Sequence, residues 1–122
     1  MNANELEDRL IEYAVRISFL CRKLPTKKHI DAEHVARQLL RAGTHPGFHY
    51  PEARAAESPR DFLHKIKVLL KELRESRAEL QYVERMGYFQ EGKVVPLITE
   101  SSELIAIFLA TTRTLERKKH AA

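Results

Sequence analysis

Six histidines, a lone cysteine and an excess of cations are the residues here whose types could do chemistry. His45 and His49 stand four residues apart, the step that places two imidazoles on one helical face, where they could hold a divalent metal. Pro46, Gly47 and Pro51 lie among them and are expected to spoil that geometry. No third ligand follows at metal spacing, although Glu52 is near, so no metal site is expected. Cys21 has no histidine–asparagine or histidine–aspartate arrangement to activate it and is read as a buried small hydrophobe. Ser101 and Ser102 lack the glycines of a nucleophile elbow. There is no glycine-rich phosphate loop, and Glu72 with Glu75 falls on a solvated helix face rather than in a cleft. Without a nucleophile, a base and an orienting group in one pattern, the chain is expected to be no enzyme and to carry no cofactor.

Phosphate binding is the chemistry the residues do support. Arg60, His64, Lys67, Lys71 and Arg74 recur at steps of four, three, four and three, a stripe along one side of a helix. Arg22, Lys23, Lys27 and Lys28 form a second cluster, and Arg113, Arg117, Lys118 and Lys119 a third. Lys and Arg number 21 against 17 Asp and Glu, a formal charge of +4, which permits nucleic-acid contact without demanding it. Complement to helix dipoles and i,i+4 pairing account for such clusters equally well one at a time. The candidate nucleic-acid-binding residues are Arg60, Lys67, Lys71, Arg74, Lys27 and Lys28. The clusters need not merge within one protomer. Aromatic residues suited to base stacking are few, and Phe48 and Tyr50 are read instead as anchors of a bend or of a subunit contact. Glu52, beside Ala53, Ala55 and Ala56, is expected to pair with an arginine, Arg41 or Arg54 of a neighbouring chain. Phe48, Tyr50, Glu52 and Arg54 are therefore the candidate oligomer interface.

The elements that must position these residues are helices. At 122 residues, with 43% hydrophobic and 31% charged residues, four glycines and no tryptophan, the composition is that of one soluble domain with a helical bias. Leu6, Leu10, Tyr13, Ala14, Ile17, Cys21 and Leu24 mark an amphipathic helix over about residues 4–24, capped by Asn4 and stopped by Pro25. A second helix is expected from Asp31, with Val35, Ala36, Leu39, Leu40 and Gly43 inward, and kinked or interrupted between Thr44 and Pro51. Ser58, Pro59 and Asp61 open a third, which Gly87 ends. A fourth starts between Gly92 and Pro96. Short links favour an all-α, antiparallel up-down-up-down four-helix bundle with a kinked second helix. The domain should span 1–122, with a core over about 4–116 and a frayed tail at 117–122. One cysteine excludes an internal disulfide and suits a reducing, cytoplasmic setting. The start of the chain is polar and acidic, unlike a signal peptide. The longest apolar stretch, residues 104–110, is of core length, so no membrane association is expected.

The run Gly47-Phe-His-Tyr-Pro-Glu-Ala53, then Ser58-Pro-Arg-Asp-Phe-Leu-His-Lys65, then Leu69-Leu-Lys-Glu72 with Glu84-Arg-Met-Gly87, resembles the bacterial four-helix-bundle family of ribosomal RNA intervening-sequence proteins. Gly47, Tyr50, Glu52, Ala53, Ser58, Asp61, Phe62 and Lys65 fit the family pattern in register. His49 replaces its usual asparagine, and Pro51 stands where a helix-compatible residue is usual. The resemblance covers about residues 24–115. It implies a non-enzymatic bundle assembled as a ring, typically a homopentamer. It also implies a tie to large-subunit ribosomal RNA, since some members are encoded within those genes. A similar architecture occurs in accessory proteins of diversity-generating retroelements, which bind nucleic acid and a reverse transcriptase. The expected partners are thus further copies of the chain and RNA or DNA; the alternative is an adaptor whose ring binds a partner protein.

Overall fold

In a computed structural model, which describes residues 1–121, the chain forms four helices: α1 (Ala3–Lys23), α2 (Ile30–Arg54), α3 (Pro59–Met86) and α4 (Val95–Ala121). There is no strand among the described residues. Each helix packs on the next in sequence, and α4 returns to α1 through a thinner seam. The order is antiparallel throughout. Arg54 at the end of α2 meets Glu7 at the start of α1, and Glu116 near the end of α4 meets Lys67 on α3. The inward stripes share one core, in which Tyr13, Ile17, Leu39, Ile66, Leu73, Leu80, Leu104 and Phe108 are fully enclosed. Across its centre the Ser76 hydroxyl donates to the Leu73 carbonyl at 2.8 Å, and lies 2.8 Å from the Tyr13 hydroxyl, a polar link from α1 to α3.

The helix ends follow local chemistry. Asn2, two residues before the expected cap, accepts from the Glu5 amide at 2.9 Å and donates back to its carboxylate. Ser58 accepts from the Asp61 amide at 3.1 Å, and Gly87 closes α3 in the left-handed conformation with φ 70°. Asp31 does not cap α2. His29 holds that position without a side-chain bond, and the Asp31 carboxylate accepts instead from the Tyr88 hydroxyl. Glu84 braces the α3–α4 link by accepting from the amides of Gly92 at 3.0 Å and Val94 at 3.4 Å. α4 continues to Ala121, so residues 117–121, expected to fray, are helical; Ala122 lies outside the described residues. By length and composition α4 is apolar enough to cross a bilayer, which the longest unbroken apolar run did not suggest. Here it turns Leu104, Ile105 and Phe108 into the core.

α2 is not interrupted. It runs as one helix through Pro46 and Pro51, at the cost of the bonds that those residues would have donated to the carbonyls four residues earlier. Packing against α1 offsets that loss. Ala42, Gly43, Pro46, Gly47, Tyr50 and Ala53 form its buried row. At Gly43 a Cβ would lie 2.8 Å from both γ-carbons of Ile17, and at Gly47 it would lie 3.0 Å from the Leu10 carbonyl oxygen. The two glycines, one turn apart, bring α2 almost onto the α1 backbone.

A polar seam runs along the other side of α2. Arg41 pairs with Glu75 at 2.7 Å, and His45 faces Glu72, whose carboxyl burial pushes above its usual range. Glu79, the next acid along α3, has one carboxylate oxygen buried without a partner. Burial, reinforced by Glu75, raises its pKa to about 7.

Two outcomes test this packing. Gly43→Ala should lower stability in urea by about 1–2 kcal/mol, because overpacking against a stiff β-branched side chain outweighs the better helix propensity of alanine. Glu79 holds its proton more tightly folded than unfolded. The stability it contributes is full below about pH 4.5 and is lost as pH rises through about 7. Glu79→Gln should therefore melt above the natural chain at about pH 8, and the gap should close near pH 4.5.

Candidate nucleic-acid interface

The α3 stripe is laid out as its spacing predicts. Arg60, His64, Lys67, Lys71 and Arg74 are all exposed along one side of the helix. Lys67 is committed to Glu116 at 2.6 Å, and that pairing draws the Glu116 carboxyl below its usual range. Arg60, Lys71 and Arg74 make no ion pair among the described residues. Since α4 runs antiparallel to α3, its last turns lie beside the first turns of α3, where Arg60 and Leu63 share a recess with Leu115, Lys118 and Lys119. The α3 stripe and the C-terminal cluster thus form one continuous basic surface on the α3–α4 hairpin. The sequence left open whether the clusters merge within one protomer; the start of α3 and the last turns of α4 bring these two together. Lys27 and Lys28 are exposed in the α1–α2 link, at the opposite end of the bundle. With 28 residues in α3, that places them roughly 40 Å from the Arg60 end of this surface and about 18 Å along the axis from Arg74.

The four candidate interface residues part company. Phe48 stands outward, 63% exposed. Tyr50 is only 5% exposed, its ring edge-on to Phe108 at 5.7 Å between centroids, so it belongs to the protomer's own core. In an unbroken helix, positions two apart point in nearly opposite directions, which a bend at the prolines would have relaxed. Glu52 pairs with His49 at 3.1 Å, and Arg54 with Glu7 at 3.3 Å; both partners lie within the same protomer.

Phe48 has company that the sequence reading missed. Ile11, Val15 and Phe19 on α1 and Leu40 on α2 are each 40% exposed or more and stand at four-residue steps. Ile11, Val15, Phe19 and Phe48 border a shallow cleft with Thr44 along the outside of the α1–α2 hairpin, Leu40 lines an adjoining recess with Cys21 and Ala36, and the Arg22 guanidinium sits 5.1 Å from the Phe19 ring centre. The available signal was a second apolar row on α1, offset from the inward one. One inward stripe does not need Ile11, Val15 and Phe19 as well.

The histidine pair also departs from expectation. The unbroken helix keeps the His45 and His49 rings side by side, 3.6 Å between centres and tilted by 32°, so the prolines do not spoil the four-residue step. Each ring engages its own carboxylate, His45 that of Glu72 and His49 that of Glu52. No group of three potential metal ligands converges among the described residues. Cys21 is buried; its thiol donates to the Ala36 carbonyl at 3.6 Å, and burial raises its pKa to about 11, keeping it protonated.

No family model matches the chain, and no curated protein matches it. Among solved structures it is similar to a protein of unknown function from the S23 ribosomal protein family of Bacteroides thetaiotaomicron. The two are 28% identical and superpose with a TM-score of 0.78 over 88% of this chain and 97% of that one. That level of identity, over nearly the whole neighbour, agrees with the motif resemblance read along α2 and α3. The chain is accordingly a four-helix bundle similar in sequence and fold to a member of the S23 ribosomal protein family, which is consistent with its resemblance to the intervening-sequence proteins.

Proposed function

We propose that the protein is a non-enzymatic, cytoplasmic nucleic-acid-binding module that works as a homo-oligomer and contacts RNA through its α3–α4 hairpin. The observation that carries this reading is the single surface made by Arg60, Lys67, Lys71, Arg74, Arg113, Arg117, Lys118 and Lys119, all exposed. Glu116, the acid among them, is held by Lys67. Polyanion binding gains from such convergence because each phosphate contact releases counterions, and copies in an assembly multiply the effect. The S23 name of the structural neighbour makes ribosomal RNA the first ligand to test. The apolar cleft on the α1–α2 hairpin supplies the contact between copies. Five large apolar side chains in two facing rows are more than an isolated helical hairpin leaves in water without a partner. The two hairpins thus divide the labour, one joining copies in a ring of about five and the other facing the polyanion. A separate partner protein on the apolar cleft is the competing reading.

Reversal of charge in Lys71→Glu/Arg74→Glu should weaken retention of single-stranded RNA at low salt. It should also flatten the log affinity versus log salt slope by about 1.4, roughly 0.7 per lost phosphate contact. Unchanged retention would remove this surface from consideration. Phe19→Asp/Phe48→Asp should reduce the mass seen by light scattering to the 14.2 kDa protomer while leaving helical content intact. If the natural chain already scatters as a protomer and captures another protein through this cleft, the adaptor reading takes precedence.

A further inference from the structure

Where the start of α3 meets the last turns of α4, the basic surface is not flat. It dips into a recess of about 640 Å³ whose character differs from its surroundings. The floor is aliphatic, made by Pro59, Leu63 and Leu115, and three cations, Arg60, Lys118 and Lys119, stand around it. None of the three is in an ion pair among the described residues. Two nearby acids are already engaged, Asp61 held by Lys65 through contacts of 2.7 and 2.8 Å and Glu116 held by Lys67, while Glu57, beside Ser58, is exposed and in no ion pair among the described residues. The Ser58 hydroxyl at the edge accepts from the Asp61 amide. The recess therefore offers an apolar bed under a net positive rim, three cations against one free acid, and a complementary ligand has an apolar body joined closely to an anion.

A duplex cannot supply that combination. Its phosphates can touch the rim, but its base faces are closed by stacking. An unpaired nucleotide supplies both parts in one unit. We infer that this recess seats one unpaired nucleotide of a bound strand, its base over Pro59, Leu63 and Leu115 and its phosphate among Arg60, Lys118 and Lys119. This rests on the nucleic-acid reading above and deepens it: the α3–α4 hairpin selects single-stranded loops and ends over paired RNA. The floor presents no free hydrogen-bonding side chain, so the seat is indifferent to which base enters.

The test uses the full chain with its leucine methyl groups labelled for NMR, read beside binding titrations. Adenosine monophosphate and a single-stranded 12-mer should move the Leu63 and Leu115 methyl resonances upfield through the ring current of the seated base. Inorganic phosphate and a 12-base-pair duplex should leave them in place. Leu115→Gln, which removes part of the floor without changing charge at a half-exposed site, should weaken single-strand binding about tenfold and spare duplex binding. Equal binding of the two RNAs with motionless methyl signals would overturn the seat and leave the polyanion surface standing. Failure of both RNAs to bind at low salt would overturn the surface and the seat together. Methyl shifts with dodecyl phosphate and none with nucleotide would assign the recess to an aliphatic anion and overturn the inference.

Discussion

Two glycines on α2 set how close the first pair of helices can come, and much of the molecule's surface follows from that distance. With no Cβ at Gly43 or Gly47, α2 settles against Ile17 and the Leu10 carbonyl, leaving almost no volume between the two backbones. Side chains as large as Ile11, Val15, Phe19, Leu40 and Phe48 have no room in such a seam and flank it on the outside instead. The apolar outer cleft is thus the geometric counterpart of a tight inner contact. The same contact explains why a helix containing two prolines persists. The buried row from Ala42 to Ala53 gains through packing what the prolines lose in backbone bonds.

The second pair of helices is built on another principle. α3 and α4 meet through ordinary large side chains; the outer side of α3 and the last turns of α4 carry the long charged residues, while α4 before Arg113 exposes mostly small ones such as Thr99, Ala106 and Ala110. The bundle consequently has one hairpin that is greasy outside and one that is basic outside. Between α2 and α3 runs a third kind of contact, a ladder of Arg41–Glu75 and His45–Glu72 that stops at Glu79 without a matching cation. The exposed Arg41–Glu75 pair adds little to stability, whereas Glu72 and Glu79 carry a desolvation cost.

How much of this could be read beforehand depended on the range of the interaction. Ser58, Pro59 and Gly87 marked the ends of α3 correctly because capping involves atoms within one turn. The inward stripes of α1, α3 and α4 were legible for the same reason, as period alone orients a side chain on a rigid rod. Pro46 and Pro51 do not interrupt α2. Their effect on an isolated helix is local, but the α1 surface that overrides it is thirty residues away. The reading of Tyr50 as a candidate subunit contact, and of the His45–His49 step as spoiled, both descend from the expected break. Asp31 failed as a cap because Tyr88, from a distant link, claims its carboxylate. Of the candidate site, the α3 stripe was visible as spacing, whereas its union with Lys118 and Lys119 required knowing which helix ends meet.

The pattern of neighbours also bears on how the chain reaches this state. Close backbone approach joins mainly helices adjacent in sequence, while Tyr13 with Ser76, Tyr50 with Phe108, and Arg9, which reaches Glu100 at 2.7 Å and Glu103 at 3.6 Å, tie the remaining pairs together. Few contacts have to wait for distant segments to find each other, so the entropy of closing large loops scarcely slows the search. A chain of such low contact order belongs among the microsecond-to-millisecond folders. Its helices can assemble as successive hairpins, with the Arg9 clasp the last part to close.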